Sequence, residues 1–394
     1  MKEEVFWKNP GYKSRKPLDK DIECNYLIVG GGVTGVFVGY FLSELGARNV
    51  VLIEKDTIGS GATGKSAGIL TVKGELDFGE LIKNYGEENG LKYWYESHEA
   101  MHIVKEIIKK YKIDCDFEEQ PAIYAGYSYK TAGDIVEEYE FEKKLPDTDI
   151  KLLTEDELEK LIKTKAFKFA TFSHKHAISI NPLKHVQNLS KVLDRKIKIY
   201  ENTELKDVND NIAVTPNGKI KFKKIIFATD SFYPEDEVFA LKSTILVSKK
   251  LTKKQLEEIG LWPKKIIWDS KKDYDYLKVV TNSNRILFGC GHVKVHKKDR
   301  RKDPHHPHIV HIRKFIAELY PKFEIPIEYM WSGIYGGTHN WHPFVKIEGN
   351  KFVAVGASSQ VTSVMAARYI AHKVLGKESV LDRFFGNKNK KIKS

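Results

Sequence analysis

Three glycines and one glutamate have the spacing of a dinucleotide-binding unit. Gly30, Gly32 and Gly35 form the pattern G-x-G-x-x-G, and Glu54 follows the last of them by roughly 20 residues, as in that unit. The first glycine makes a tight turn, the second lets the backbone approach a diphosphate, and the third lets a helix pack closely. The acid accepts hydrogen bonds from a ribose. The chemistry indicated is binding of the ADP half of a dinucleotide.

The elements that must position these residues are also present. An apolar run at 24–29 leads into the glycines, a helix-length segment follows, and a second apolar run at 50–53 ends in Glu54. In a strand–helix–strand unit of this kind, the diphosphate lies over the N-terminus of the helix, where unpaired N–H groups favour an anion. We therefore expect an α/β fold with a Rossmann-like unit.

A second glycine-rich loop has two interpretations. Residues 59–66 read GSGATGKS and match the P-loop pattern, and residues 225–230 resemble a strand that ends in a magnesium-binding aspartate. A P-loop, however, opens a long helix directly after a strand, whereas residues 67–72 are strand-like. A P-loop nucleoside triphosphatase therefore stays a remote alternative.

Composition narrows the class of protein. The net charge of +12 comes from lysines interleaved with acids, which favours a solvated surface and no nucleic-acid partner. No apolar run reaches the roughly 18 residues of a membrane helix, and the N-terminus lacks the apolar region of a secretory signal. Three separated cysteines, and His308 and His311 without a completing ligand, predict no metal site. These features predict a cytoplasmic protein.

The length of 394 residues predicts two domains. Patterning predicts a discontinuous cofactor-binding domain at 20–80, 180–235 and 328–385. A substrate domain at 81–179 and 236–327 would then be inserted twice, with a basic tail at 386–394.

The motifs resemble those of the D-amino-acid-oxidase-like (DAO) FAD-dependent oxidoreductases. Residues 59–68 are similar to the family's loop along the diphosphate and flavin, and 228–229 to a strand end near the adenine. Residues 267–269, 274–277, 284–289 and 331–343 look like the subgroup near gamma-glutamylputrescine oxidase and glycine oxidase. The resemblance implies a Rossmann-like FAD-binding domain with an inserted antiparallel-sheet substrate domain.

The same resemblance implies a set of FAD-binding residues. No cysteine lies near Tyr335 in the sequence, where some relatives link their flavin, so non-covalent FAD is expected. The final turn at 356–362 departs from the family's glycine-rich form, and its Cβ atoms at 357–359 stand near the expected flavin. The residues expected along FAD are Gly30, Gly32, Val33, Thr34, Gly35, Glu54, Lys55, Gly61, Ala62, Thr63, Ser66, Ala67, Gly68, Leu205, Ala228, Thr229, Gly333, Gly356, Ser358, Ser359, Gln360, Val361 and Thr362.

The implied reaction is oxidation of a C–N bond by hydride transfer to flavin N5, giving an imine that water hydrolyses. Aromatic walls favour the neutral amine over its ammonium form. Tyr335 stands where amino-acid oxidases of the family use an arginine to clamp a carboxylate, which favours an amine or N-substituted amino acid as substrate. Arg285 is interpreted as a surface charge. The candidate catalytic residues are Tyr276, Tyr335, His339 and Trp331, with Tyr274 and Trp341 beside them.

The electron acceptor stays open at this point. Some oxidases of the family activate oxygen with a lysine on the strand that here reads Ile286-Leu287-Phe288, and this strand has no lysine. The flavin could therefore pass its electrons to oxygen or to another acceptor, and a partner subunit is possible. A flavoprotein dehydrogenase and a non-catalytic flavoprotein subunit are the corresponding alternative functions.

Overall fold

The computed structural model describes residues 1–72, 76, 78–129, 132–145, 148–174, 177–271, 274–296 and 305–385, without the side chain of residue 134. The basic tail predicted at 386–394 lies outside these residues.

Twenty strands are found in the described chain. They are β1 (Ile22–Val29), β2 (Val50–Ile53), β3 (Ile69–Thr71), β4 (Glu118–Glu119), β5 (Ala122–Gly126), β6 (Lys151–Thr154), β7 (Phe169–Ser173), β8 (Ala177–Ser179), β9 (Lys198–Tyr200), β10 (Asp207–Asn209), β11 (Ile212–Thr215), β12 (Gly218–Phe227), β13 (Phe239–Ser248), β14 (Ile266–Asp269), β15 (Tyr276–Val280), β16 (Arg285–Gly289), β17 (Val293–Val295), β18 (Ile327–Gly337), β19 (Phe344–Glu348) and β20 (Lys351–Val355).

Eleven α-helices accompany them in the same residues. They are α1 (Val33–Glu44), α2 (Ala62–Lys65), α3 (Phe78–Tyr85), α4 (Glu87–Tyr111), α5 (Ala132–Glu142), α6 (Glu155–Ile162), α7 (Pro182–Leu193), α8 (Lys253–Glu258), α9 (His306–Leu319), α10 (Gln360–Val374) and α11 (Asp382–Phe385). Local signals set several boundaries: Asn181 caps α7 by accepting from Lys184 N, and Pro182 opens that helix. None of the described helices is both long and apolar enough to cross a membrane.

Eight strands form the first sheet, here called the dinucleotide sheet. Its path is β10-β11-β12-β1-β2-β9, with β20 beside β12 and β19 beside β20. The pairings of β1 with β2 and β12, of β2 with β9, and of β12 with β20 are parallel. The fully buried runs of β1 and β2 are apolar, as expected for parallel strands covered on both faces. One large hydrophobic core joins this sheet to α1, α4, α7 and α10.

Nine strands form the second sheet, here called the inserted sheet. Its path is β17-β13-β16-β15-β14-β5-β7-β6, and β18 pairs with β13. Every pairing is antiparallel except the parallel pairing of β14 with β5. A three-stranded sheet of β3, β8 and β4 completes the fold. This α/β architecture confirms the predicted fold class.

Two strands cross the predicted domain division. β18 was assigned to the cofactor domain but pairs along its length with β13 of the inserted sheet. β3, also assigned to the cofactor domain, pairs with β8. The loop at 59–68 (the cofactor loop) contains α2 and leads into β3, and it is hydrogen-bonded both to the start of α1 and to β18. The division itself stays a prediction.

An N-terminal segment, residues 2–18, joins the two sheets. Lys2 donates its N–H to the carbonyl of Glu328 and accepts from Met330 N, both in β18. At the other end of the segment, Arg15 ion-pairs with Glu201 beside the dinucleotide sheet. This segment precedes every predicted domain piece, so its role was missed by the sequence analysis.

A buried histidine makes the stability of this fold sensitive to acid. His342 is 3% exposed, and its ring lies edge-on between Tyr85 and Tyr93. Burial lowers the pKa of His342 to about 4. The unfolded chain takes up the proton first as pH falls, so the stability that the neutral ring contributes is complete above its usual pKa and is lost between about pH 6.5 and about pH 4.

We expect His342→Phe to weaken this acid sensitivity, because phenylalanine keeps the ring contacts and has no proton to take up. Between about pH 7.5 and about pH 5, the free energy of unfolding measured in urea should fall by about 2 kcal/mol less in the variant than in wild type. His339→Phe, at an exposed position of the same loop, is the control and should keep the wild-type pH dependence. An unchanged slope in His342→Phe would contradict the assignment.

Candidate functional site

A cavity of about 1420 Å3 extends from the glycine turn after β1 to the face of the inserted sheet. Most of the predicted FAD residues line it, namely Gly30, Gly32, Val33, Thr34, Glu54, Lys55, Gly61, Ala62, Thr63, Ser66, Ala67, Gly68, Leu205, Ala228, Thr229, Gly333, Ser358, Ser359 and Gln360. Four do not line it, namely Gly35, Gly356, Val361 and Thr362.

The glycine turn packs as the spacing predicts. A Cβ on Gly35 would lie 1.9 Å from the carbonyl oxygen of Gly30, so α1 can approach the turn only with glycine at this position. Gly30 has a φ of +110°, which side chains rarely adopt. Gly32 is the N-cap residue of α1, and Gly32, Val33 and Thr34 line the cavity, so the first turn of the helix lies at the cavity. Gly35 therefore shapes the site from behind.

Glu54 directly follows β2 and lines the cavity. Its carboxylate accepts from Gly31 N at 2.7 Å and from Asp56 N at 2.9 Å. Burial raises the pKa of the Glu54 carboxyl, and these two backbone donors partly oppose the shift. The Glu54 carboxylate is thus held in place by the backbone N–H groups of Gly31 and Asp56.

The cofactor loop does not form a P-loop. It leads into α2, a helix of four residues, and then into β3. Thr63 Oγ1 instead accepts from Val33 N at 2.9 Å, which ties the loop to the start of α1. A P-loop requires a long helix after its lysine, so the structure gives no support to the nucleoside triphosphatase alternative.

The altered final turn retains a polar helix start. Gly356 has a φ of +68°, and Ser359 caps α10 by accepting from Thr362 N at 3.1 Å. The hydroxyl of Ser358 and the amide oxygen of Gln360 are buried without a hydrogen-bond partner in the described chain, and both residues line the cavity. Unpaired buried polar atoms of this kind are suited to a polar ligand.

Strand register aligns a row of aromatic side chains over the cavity. Tyr276 of β15 pairs with Trp268 of β14, which pairs with Tyr124 of β5. Because paired residues share a sheet face, the three rings face the same side. A Cβ on Gly289 of β16 would lie 2.1 Å from the Tyr276 ring, so this glycine gives the phenol its space.

The candidate catalytic residues separate into two groups. Tyr276 and Tyr335 line the cavity, as do Tyr274 and Trp341. Trp331 and His339 do not, contrary to expectation. Trp331 is buried in an apolar cluster and donates its indole N–H to the carbonyl of Lys65 at 2.8 Å. His339 is exposed and packs against Phe239.

Trp341 has an unusual backbone at the cavity wall. Its φ is +58°, a region that bulky residues rarely occupy. Thr338 holds the turn by donating its hydroxyl to the carbonyl of His342 at 2.7 Å. The indole packs against His292, with ring centroids 4.9 Å apart. Such a conformation persists only where neighbours fix it, often at functional sites.

Asp230 joins the two sheets at the cavity. Its carboxylate oxygens each lie 3.0 Å from the N–H of Gly336 in β18, which donates to them. Its φ is +53°, in the left-handed region that aspartate tolerates better than most residues. From sequence, this Asp was considered as the magnesium-binding aspartate of the P-loop alternative, and its bond to β18 was not foreseen.

Charged residues near the aromatic row were missed as well. Asp269 is 1% exposed and lines the cavity, as does Lys271. Lys271 ion-pairs with both Asp269 and Asp275. Burial raises the pKa of the Asp269 carboxyl. Alternation along β14 places Asp269 on the same side as Ile267, opposite Trp268, so strand patterning gave no signal for it.

Several other expectations concern residues away from the cavity. Arg285 donates to the carbonyl of Ser248 and ion-pairs with Glu328, outside the lining. His308 and His311 contact different partners, Thr244 Oγ1 and Asp275 Oδ1. Across the described residues, no three metal-binding side chains are grouped.

Comparison with known proteins identifies the family. The family model described as "DAO: FAD dependent oxidoreductase" matches residues 25–373. The chain belongs to this family. The DAO-family assignment confirms the predicted enzyme class and its FAD cofactor, and the cavity fits that cofactor through its glycine cradle and its unpaired polar atoms.

Relatives of this DAO-family oxidoreductase cover most of its length. Gamma-glutamylputrescine oxidoreductase of Escherichia coli (strain K12) is 25% identical over 381 residues, which are 93% of this chain and 87% of that protein. Glycine oxidase from Geobacillus kaustophilus superposes with a TM-score of 0.78 at 20% identity, covering 94% of this chain and 100% of that one. L-proline dehydrogenase from P. horikoshii superposes with a TM-score of 0.75 at 17% identity, covering 93% of this chain and 97% of that one. The structural matches show the fold alone.

Asp230 provides a test of the link between the sheets. Asp230→Ala removes both acceptor oxygens and places alanine at a positive φ, so we expect the free energy of unfolding to fall by about 1–3 kcal/mol. Asp230→Asn keeps an acceptor oxygen and tolerates the same φ, so it should lose less than about 1 kcal/mol. Urea unfolding of both variants at saturating FAD is the measurement. Equal stability of Asp230→Ala and wild type would contradict the role.

Proposed function

We propose that this DAO-family enzyme oxidises a C–N bond of an amine or an N-substituted amino acid. The supporting observation is the cavity lining on the side of the inserted sheet, which includes Tyr276, Tyr335 and Trp268 and has no arginine among its described residues. A free α-carboxylate is bound best by a bidentate arginine. The similarity to a gamma-glutamylputrescine oxidoreductase and a glycine oxidase supports the same class of reaction.

The chain's own residues would bind the substrate and control its protonation. FAD, when bound, supplies N5 as the acceptor of a hydride from the substrate carbon. Aromatic walls disfavour an ammonium ion relative to the neutral amine, so the nitrogen lone pair is available as the hydride leaves. The nitrogen then loses a proton to solvent, and the imine adds water to give a carbonyl compound and a released amine.

A second candidate differs only in the final electron acceptor. On β16, Leu287 belongs to an apolar cluster with Trp7 and Trp331, and the strand carries no lysine. This composition supports a dehydrogenase that passes electrons to an acceptor other than oxygen, as an alternative to an oxidase.

Anaerobic reduction of the bound flavin tests the proposal. Purified holoprotein is mixed without oxygen with simple amines, N-methyl amino acids and free α-amino acids, and the visible flavin absorption is followed. We expect bleaching by an amine or N-substituted amino acid, with free α-amino acids slower. Peroxide release on re-aeration would separate an oxidase from a dehydrogenase. An FAD-saturated protein that none of these compounds bleaches would overturn the proposal.

Tyr276→Phe tests the contribution of one cavity residue. Loss of the hydroxyl should slow bleaching by on the order of tenfold while FAD binding is kept, because one hydrogen bond near the reacting nitrogen is removed. Tyr329→Phe is the matched control, since Tyr329 lies in β18 outside the lining and should bleach at the wild-type rate. Equal rates in both variants would remove Tyr276 from the mechanism.

A further inference from the structure

Two indole N–H groups bind consecutive carbonyl oxygens of the cofactor loop. Trp331 Nε1 donates to the carbonyl of Lys65 at 2.8 Å, and Trp7 Nε1 donates to that of Ser66 at 2.8 Å. The two buried rings also meet edge to face, with centroids 6.4 Å apart. A buried indole N–H needs an acceptor, and the loop supplies one to each ring.

A buried lysine binds a third carbonyl of the same loop. Lys278 of β15 is fully buried, and its Nζ donates to the carbonyl oxygens of Gly68 at 2.7 Å and Ile180 at 3.2 Å. Burial lowers the pKa of this amine well below its ordinary value, while the carboxylates of Glu118 and Asp116 oppose the shift. An amine buried this deeply is costly unless its donors are satisfied, so these two carbonyls are essential to its position.

Two N–H groups of the loop, those of Ala67 and Gly68, lie at the cavity. Neither Ala67 N–H nor Gly68 N–H has a protein acceptor within the described chain, and both residues line the cavity. Gly68 has a φ of +66°, and a Cβ there would lie 2.2 Å from the carbonyl oxygen of Ile180. Only glycine allows this peptide to present its carbonyl to Lys278 without a clash.

We propose that Trp7, Trp331 and Lys278 are positioning residues for the flavin. They bind the loop carbonyls on the side away from the cavity, and this leaves the amides of Ala67 and Gly68 for the cofactor. Donors fixed in advance need no rearrangement when negative charge develops beside them. The three residues come from the N-terminal segment, β18 and β15, so the arrangement depends on the docking of the inserted sheet. The proposal concerns FAD and is independent of the substrate.

Lys278→Met is the principal test, with Lys265→Met as its matched control. Lys265 is also buried in the inserted-sheet region and donates to a backbone carbonyl, that of Pro263 at 2.7 Å, but it does not line or contact the cofactor loop. We expect Lys278→Met to raise the dissociation constant for FAD on the order of tenfold, the effect of one hydrogen bond. At saturating FAD its flavin absorption spectrum should shift, a change that a loss of general stability would not produce. Lys265→Met should have the wild-type dissociation constant for FAD and the wild-type flavin absorption spectrum.

Trp7→Phe and Trp331→Phe keep the proposal testable if Lys278→Met does not fold. Each retains a ring for the apolar cluster and loses only the N–H donor and part of the indole. Circular dichroism of the apoprotein establishes folding, and titration with FAD gives the dissociation constant and the spectrum. We expect weaker FAD binding and a shifted spectrum in both. Folded tryptophan variants with the wild-type dissociation constant and spectrum would overturn the proposal.

Discussion

A loop that passes between two sheets has to satisfy its backbone polar groups on both of its sides. In the cofactor loop, donors from the inserted sheet and the N-terminal segment bind the carbonyls of Lys65, Ser66 and Gly68. The amides of Ala67 and Gly68 are left at a cavity that a dinucleotide can fill. An unpaired buried peptide group costs as much as a lost hydrogen bond or more. The backbone of the cofactor loop is therefore fully hydrogen-bonded only when the inserted sheet is docked and the cofactor is bound.

The alternation of side chains between the two faces of each strand then determines which residues line the cavity. Tyr276 and Trp268 fall on the face that meets the dinucleotide sheet, while their neighbour Leu277 faces the opposite core with Ile267 and Phe288. A shift of one residue in register would exchange these faces. Antiparallel pairing over five consecutive residues between β15 and β16 fixes the register.

Local features were predictable from the sequence because their causes are local. The turn at Gly30, the close packing at Gly35 and the cap of α7 each depend on residues a few positions apart. Trp331 shares the face of β18 with Gly333 and Tyr335, as alternation along the strand predicts, but its indole is covered by the cofactor loop, whose Lys65 carbonyl it binds. The bonds of Asp230 and Lys278 join residues distant in the chain, and no spacing rule indicates them.

The N-terminal segment has a consequence for the order of folding. The contact between Lys2 and Tyr329 spans 327 residues of sequence, and that between Arg15 and Glu201 spans 186. Contacts between residues far apart in the chain form slowly, since the intervening chain has to be arranged first. The βαβ unit of α1 has only short-range requirements and can form early. We therefore expect the N-terminal segment to be among the last parts of the chain to fold, after β18 has paired with β13.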